Sequence, residues 1–157
     1  MKILANDGLS QSGIDVLTEA SFEVITTNIA QEQLISYIND HKITVLLVRS
    51  ATTARRELID SCPSLKIIGR GGVGMDNIDV EYAREKGLSV INTPAASSSS
   101  VAELVFAHLF GGVRFLFDSN RNMPLEGESN FKGLKKAYAK GIELRGKTIG
   151  IIGFGRI

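Results

Sequence analysis

LKIIGRGGVGMDNIDVEYAREKGLSVINT, residues 65–93, contains one complete strand–loop–helix–strand unit, and the fold follows from how it is read. The apolar run at 65–68 has the length of a buried strand. The loop that follows, 69–77, holds four glycines. Residues 79–86 form a short helix that Gly87 stops, and 88–91 make the next strand. Such a helical crossover joins parallel strands, because a tight turn can only join antiparallel ones.

Upstream the alternation repeats. Strands are expected at 3–5, 22–26 and 44–48. Ser10 is placed to cap a helix with Ile14 and Leu17 on one face. A second helix at 31–39 turns Leu34, Ile35 and Ile38 inward. Thr53 is placed to cap a third, 54–62, which Pro63 ends. Five β units with helical crossovers predict an α/β, flavodoxin-like doubly wound parallel sheet over residues 1–95.

Downstream the character changes. AASSSS (95–100) leads into VAELVFAHLFGGVRFLF (101–117). Val101, Leu104, Val105 and Leu109 recur at helical spacing, and Phe106, Phe110 and Val113 widen the stripe. A helix over 96–117 that is apolar on so much of its circumference is expected to lie buried between two bodies. Residues 118–147 are polar and basic, with Arg121, Lys132, Lys135, Lys136, Lys140, Arg145 and Lys147, and read as a connecting loop. TIGII (148–152) reads as a new buried strand and GFGRI (153–157) as the turn after it.

Composition narrows the function classes. A net charge of +1 gives no bulk attraction to nucleic acid or anionic membrane. No apolar run reaches the roughly 18 residues of a membrane span. MKILANDG meets Asp7 too early for a signal peptide. The single cysteine, Cys62, suits a cytoplasmic protein and reads as a packing residue. No metal-ligand spacing is evident.

The sequence has two glycine loops. Gly69-Arg70-Gly71-Gly72-Val73-Gly74 fits G-x-G-x-x-G after a strand, but the next strand ends in Ile91-Asn92-Thr93 without the acidic residue that holds a ribose. A tight turn is one reading; another is backbone N–H groups of Val73 and Gly74 that bind a small anion. Gly153-Phe154-Gly155-Arg156-Ile157 has the better context, following the expected strand 148–152. There a pyrophosphate would meet a helix N-terminus.

The blocks VRSATTARRELID (48–60), GRGGVGMDNIDV (69–80), VINTPAASSSSVAELVFA (90–107) and ELRGKTIGIIGFGRI (143–157) together carry a resemblance over nearly the whole chain. It resembles the D-isomer-specific 2-hydroxyacid dehydrogenases, and within them the phosphoglycerate dehydrogenase branch. The resemblance implies a flavodoxin-like substrate-binding domain (1–95), a first crossing helix (96–117), a basic connection and dimer region (118–147), and the first strand and glycine loop of an NAD-binding Rossmann domain (148–157). It implies oxidation of 3-phospho-D-glycerate, a step of serine synthesis, with NAD as cofactor and a homodimer formed through 100–153. Arg49 and Ser50 match the substrate loop, with Arg49 on the substrate phosphate. Arg70 matches a second basic residue aimed there. Gly72, Val73 and Gly74 match the loop that binds the substrate carboxylate, Val73 also touching the cofactor. Gly153, Gly155, Arg156 and Ile157 match the cofactor turn. Ser97 stands where relatives often carry Asn beside the cofactor, which is a departure. Lys136 lies near a basic residue that relatives present to a neighbouring subunit.

The Arg, Glu and His that act in catalysis in this family are expected beyond Ile157, so the chain alone is expected to be inactive. His41 and His108 read as structural. Another hydroxyacid reductase, acting on hydroxypyruvate or glyoxylate, and a non-catalytic dehydrogenase-like binding module are the alternatives. A phospho-acceptor receiver domain shares the five-stranded plan, but strand three ends in Arg49 where the acceptor Asp would stand.

Overall fold

A computed structural model describes residues 1–155; Arg156 and Ile157, both expected to contact the cofactor, lie outside them. The chain divides into two compact units, Met1–Ala96 and a second from Ser97 onward.

In the first unit the elements run β1 (Lys2–Ala5), α1 (Gln11–Glu19), β2 (Glu23–Ile25), α2 (Gln31–His41), β3 (Val45–Val48), α3 (Arg56–Ser61), β4 (Ile67–Arg70), α4 (Val80–Glu85) and β5 (Ser89–Asn92). All pairings are parallel and the strand order is β2-β1-β3-β4-β5. This is the doubly wound, flavodoxin-like sheet expected from the apolar periodicity. One register row crosses the whole sheet through Ile25, Leu4, Leu46, Ile68 and Val90. Leu4, Leu46 and Ile68 are fully buried and pack with Leu34 and Ile38 of α2, Leu58 of α3 and Ala83 of α4. The adjacent row, Ala5, Leu47, Gly69 and Ile91, points to the opposite face, where Ile91 is 56% exposed.

Local chemistry accounts for most boundaries. Ser10 caps α1, its hydroxyl accepting from the Gly13 N–H. Ile14 and Leu17 on that helix are only half-buried. Gly87 leaves α4 at φ +84°, a conformation that favours glycine. Two boundaries differ from expectation. Thr53 does not cap α3, because Ala54 pairs with Ile78 and keeps the chain extended. The helix starts at Arg56, whose N–H donates to the Asp79 carboxylate, so an acceptor from a distant segment does the capping. Strand β4 also runs on through Gly69 and Arg70, which pair with Leu47 and Val48 on one side and Ile91 and Asn92 on the other. The glycine loop therefore begins at Gly71.

The second unit holds two helices, α5 (Ser98–Val113) and α6 (Leu116–Tyr138), bent at 53° to one another. Phe115, at φ +56°, makes the corner. Residues 118–138, expected as loop, are helical despite Pro124, with a kink at Asn130. Phe115 and Tyr138 rings 6.1 Å apart, the 3.1 Å bond from Asn122 Nδ2 to the Tyr138 hydroxyl and buried Leu134 tie α6 together. In this single chain α5 does not show the burial its apolar circumference predicts: Leu104, Val105, Phe106 and Phe110 are each more than half exposed. Residues 148–152, expected as a strand, form none. A parallel strand is made by its neighbours' hydrogen bonds, and no neighbour is present among the described residues. Among the described residues no single helix is long and apolar enough to cross a membrane.

Candidate active site

Ligands of open parallel sheets bind outside the carboxyl ends of the strands, where the strand order reverses. In this sheet the reversal falls between β1 and β3. A cleft of about 640 Å³ opens there, bounded by the ends of β1, β3, β4 and β5. Its floor comes from the sheet row that points to this face: Leu47, Gly69 and Ile91. Gly69 is needed for that floor to close, because a Cβ there would stand 2.7 Å from Leu47 Cδ2. Asp7, Gly8, Leu9 and Ser10 form one wall, and Arg49, Arg70 and Gly71 another.

Arg49 and Ser50 leave β3 into a short exposed turn. The turn is held through its backbone and the Thr52 hydroxyl, with no bond to the Arg49 guanidinium. The Arg49 carbonyl accepts from Arg70 Nε at 3.2 Å and Asn77 Nδ2 at 2.8 Å. Asn77 Nδ2 also donates to the Thr52 carbonyl at 2.6 Å. The Asp7 carboxylate accepts from the Arg49 N–H at 2.6 Å, the Thr52 N–H at 3.1 Å and the Thr52 hydroxyl at 2.5 Å. Partial burial pulls the Asp7 pKa upward. The Thr52 hydroxyl and the backbone N–H groups of Arg49, Thr52 and Ala51 outweigh that effect and set it below the ordinary 3.8. The Arg49 guanidinium has no hydrogen-bond or ion-pair partner among the described residues. It is a cation free to meet a ligand.

Arg70 is placed differently from its expected role. It lines the cleft, but Nε is spent on the Arg49 carbonyl, and Nη1 on the Gly74 carbonyl and the Asp76 carboxylate. Its side chain is only 14% exposed. It braces the two loops against each other. Among the three loop residues expected to bind the carboxylate, the Gly72 N–H bonds internally to the Arg70 carbonyl at 3.0 Å. The N–H groups of Val73 and Gly74 donate to nothing among the described residues. Asn92 fixes the loop from β5, donating to the Val73 carbonyl at 2.7 Å.

The other candidates lie elsewhere. Ser97, in the second unit, is the N-cap residue of α5, and its side chain makes no cap bond. Gly153 has φ +84° and open space where a Cβ would be, which suits close approach of a phosphate. Gly155 is likewise open. Among the described residues no paired strand precedes these two glycines. Lys136 lies in the last turn of α6 and is exposed. His108 is exposed on α5, its ring 6.2 Å from that of Phe117. Cys62 is buried, and burial pushes its thiol up to about 11, far from a nucleophile. Asp7 and Asn77, which shape the turn, were not legible as site residues. Their partners lie 25 to 45 positions away, and no local spacing marks them.

The catalytic-domain model of the D-isomer specific 2-hydroxyacid dehydrogenases matches residues 3–145. The chain belongs to this family. A D-3-phosphoglycerate dehydrogenase of Methanocaldococcus jannaschii is 44% identical over 100% of this chain and 28% of its own length. A hydroxypyruvate reductase of Thermotoga maritima is 39% identical over 99% of this chain and 49% of its own. The chain thus spans between a quarter and a half of these family members. Among solved structures, an NAD-dependent formate dehydrogenase from Staphylococcus aureus in complex with NAD superposes with a TM-score of 0.71 and 29% identity. It covers 99% of this chain and 50% of that one. A cofactor-bound 3-phosphoglycerate dehydrogenase of Entamoeba histolytica gives 0.60 and 31%, covering 73% and 39%.

Proposed function

We propose that the full-length protein is an NAD-dependent dehydrogenase that oxidises 3-phospho-D-glycerate to 3-phosphohydroxypyruvate in the cytoplasm, a step of serine synthesis. One observation supports the reading: a guanidinium and two backbone N–H groups, none with a partner among the described residues, sit on the loops that follow β3 and β4 at the carboxyl end of the sheet. A guanidinium fork matches phosphate oxygens, so Arg49 takes the phosphate, with the Ser50 hydroxyl beside it. The Val73 and Gly74 amides take the carboxylate, and Gly72 shapes the loop that presents them. Arg70 acts on the phosphate chiefly through its hold on the Arg49 carbonyl. NAD accepts the hydride when bound, and Gly153 and Gly155, with Arg156 and Ile157, would belong to its pyrophosphate turn. Val73 would lie toward its nicotinamide and Ser97 toward its edge. The Arg, His and Glu that orient the acid and take its hydroxyl proton are expected outside these 157 residues. The apolar side chains that α5 exposes support a homodimer through residues 100–153.

A second reading within the class, reduction of hydroxypyruvate or glyoxylate, is favoured by one observation. Arg70 is spent on the Arg49 carbonyl, the Gly74 carbonyl and the Asp76 carboxylate, which leaves Arg49 as the one cleft cation without a partner among the described residues. Steady-state assay of the full-length protein separates the two. The leading reading expects NAD reduction with 3-phospho-D-glycerate, and much less with D-glycerate or D-lactate. Equal kcat/KM for phosphorylated and unphosphorylated acids rejects it in favour of the second.

A further inference from the structure

A carboxylate at the rim of an anion-binding cleft is a contradiction unless its charge serves something else. Asp7 lines the cleft within the same wall system as Arg49, where it would repel a substrate that carries both phosphate and carboxylate. Yet both of its oxygens are already hydrogen-bonded. Oδ2 accepts from the Arg49 and Thr52 N–H groups, and Oδ1 from the Thr52 hydroxyl. All three donors belong to one four-residue turn, the turn that carries Arg49 and Ser50.

The arrangement continues behind Asp7. The Thr52 hydroxyl accepts from Asn6 Nδ2 at 2.8 Å. Asn6 is itself fixed at both ends of its amide: its oxygen accepts from the Ile29 N–H at 2.8 Å, and Nδ2 donates to the Ile29 carbonyl at 3.0 Å. Asn6 and Thr52 are buried, so this chain of bonds is shielded from competing water. On the other side of the turn, Asn77 holds the carbonyls of Arg49 and Thr52. The N–H groups of Arg49 and Thr52 therefore go to Asp7 and their carbonyls to Asn77. No bond in the network reaches the Arg49 guanidinium, which is left for ligand.

We infer that Asp7 is a positioning residue for substrate binding: its carboxylate holds the 49–52 turn in the shape that presents Arg49 and Ser50 to the cleft. Asp7 makes no bond to substrate. It acts through Arg49, and the three donors it accepts spend the charge that would otherwise repel the anion. An amide in its place keeps an acceptor for the Thr52 hydroxyl but turns an NH₂ group toward two backbone N–H donors. The turn then opens, and Arg49 loses its fixed approach.

The inference rests on the dehydrogenase reading for its kinetic arm and is independent of it for its structural arm. In full-length protein, Asp7→Asn is expected to raise KM for 3-phospho-D-glycerate about tenfold or more, since charge-assisted hydrogen bonds are the stronger kind. The variant is expected to change kcat by less than about threefold, because a positioning residue alters binding geometry and not the transfer step. Thr52→Val is expected to shift KM in the same direction, and Thr52→Ser, which restores the hydroxyl, to reverse most of that shift. Hydrogen exchange followed in the same proteins should show faster exchange at the Arg49 and Thr52 amides in Asp7→Asn, with the sheet amides unchanged. An unchanged KM together with unchanged exchange at those amides overturns the role of Asp7. So does a general rise of exchange with kcat and KM damaged alike, which would mark a merely structural residue. If wild-type protein oxidises no 2-hydroxy acid while the exchange difference is present, the dehydrogenase reading fails and the clamp stands.

Discussion

Two arginines that look equivalent in the sequence have different fates. Arg49 ends β3 in a turn fastened by its backbone, so its side chain stays available. Arg70, one strand over, donates from Nε and Nη1 to carbonyls and a carboxylate around it. The distinction is set by which groups the turns bring near, and residue type alone does not reveal it. The same limit applies to Asp7, whose partners sit 42 to 45 residues away. Cys62 was legible, because a single small thiol beside Pro63 in an apolar helix end is ordinary core chemistry. With its thiol pushed up to about 11 by burial, it is expected to resist alkylating and disulfide reagents at mildly alkaline pH in native protein. Reagent uptake timed against unfolding in denaturant checks this; rapid uptake in the native state would show that the helix end is open.

At the scale of elements, the central strands β1, β3 and β4 were readable because they are mostly buried and so are written as apolar runs, whereas the edge strands β2 and β5 are only partly covered. Leu46 sits in the middle of the row from Ile25 to Val90 and is fully buried. Leu46→Ala is expected to cost about 2–5 kcal/mol, measured by urea unfolding, since the sheet and three helices converge on it and cannot collapse around a cavity. A cost below about 1 kcal/mol would mean that the row packs loosely. Where the reading of elements failed, the cause was tertiary. The start of α3 is set by Asp79 and the Ala54–Ile78 bridge, neither visible from Thr53. Helix α6 was hidden by Pro124, Gly127 and Gly133, which weigh against helix in a local reading. Contacts at Tyr138 and Leu134 override them, at the expense of a kink at Asn130. The apolar run at 148–152 has strand composition, but a strand needs a neighbour, and composition does not supply one.

At the scale of the molecule, the two units have opposite surfaces. The first buries its apolar residues against the sheet, mostly on the face that α2, α3 and α4 cover, and keeps its cleft at the strand ends. The second exposes Leu104, Phe106, Phe110, Leu116 and Phe117, each more than half accessible. Apolar surface of that kind seeks cover. The 157-residue chain alone is therefore expected to run as a dimer in multi-angle light scattering at micromolar concentration, and to show no dehydrogenase activity. A stable monomer would contradict the first expectation and turnover the second. The function assigned to the cleft rests on the claim that Arg49 reads a phosphate. The most direct test compares kcat/KM for 3-phospho-D-glycerate with that for D-glycerate, in full-length wild type and in Arg49→Ala. Loss of a charge-assisted, bidentate contact should cut the preference for the phosphorylated acid by about a hundredfold and leave the poor activity on D-glycerate nearly unchanged. A preference that survives the substitution would contradict the account.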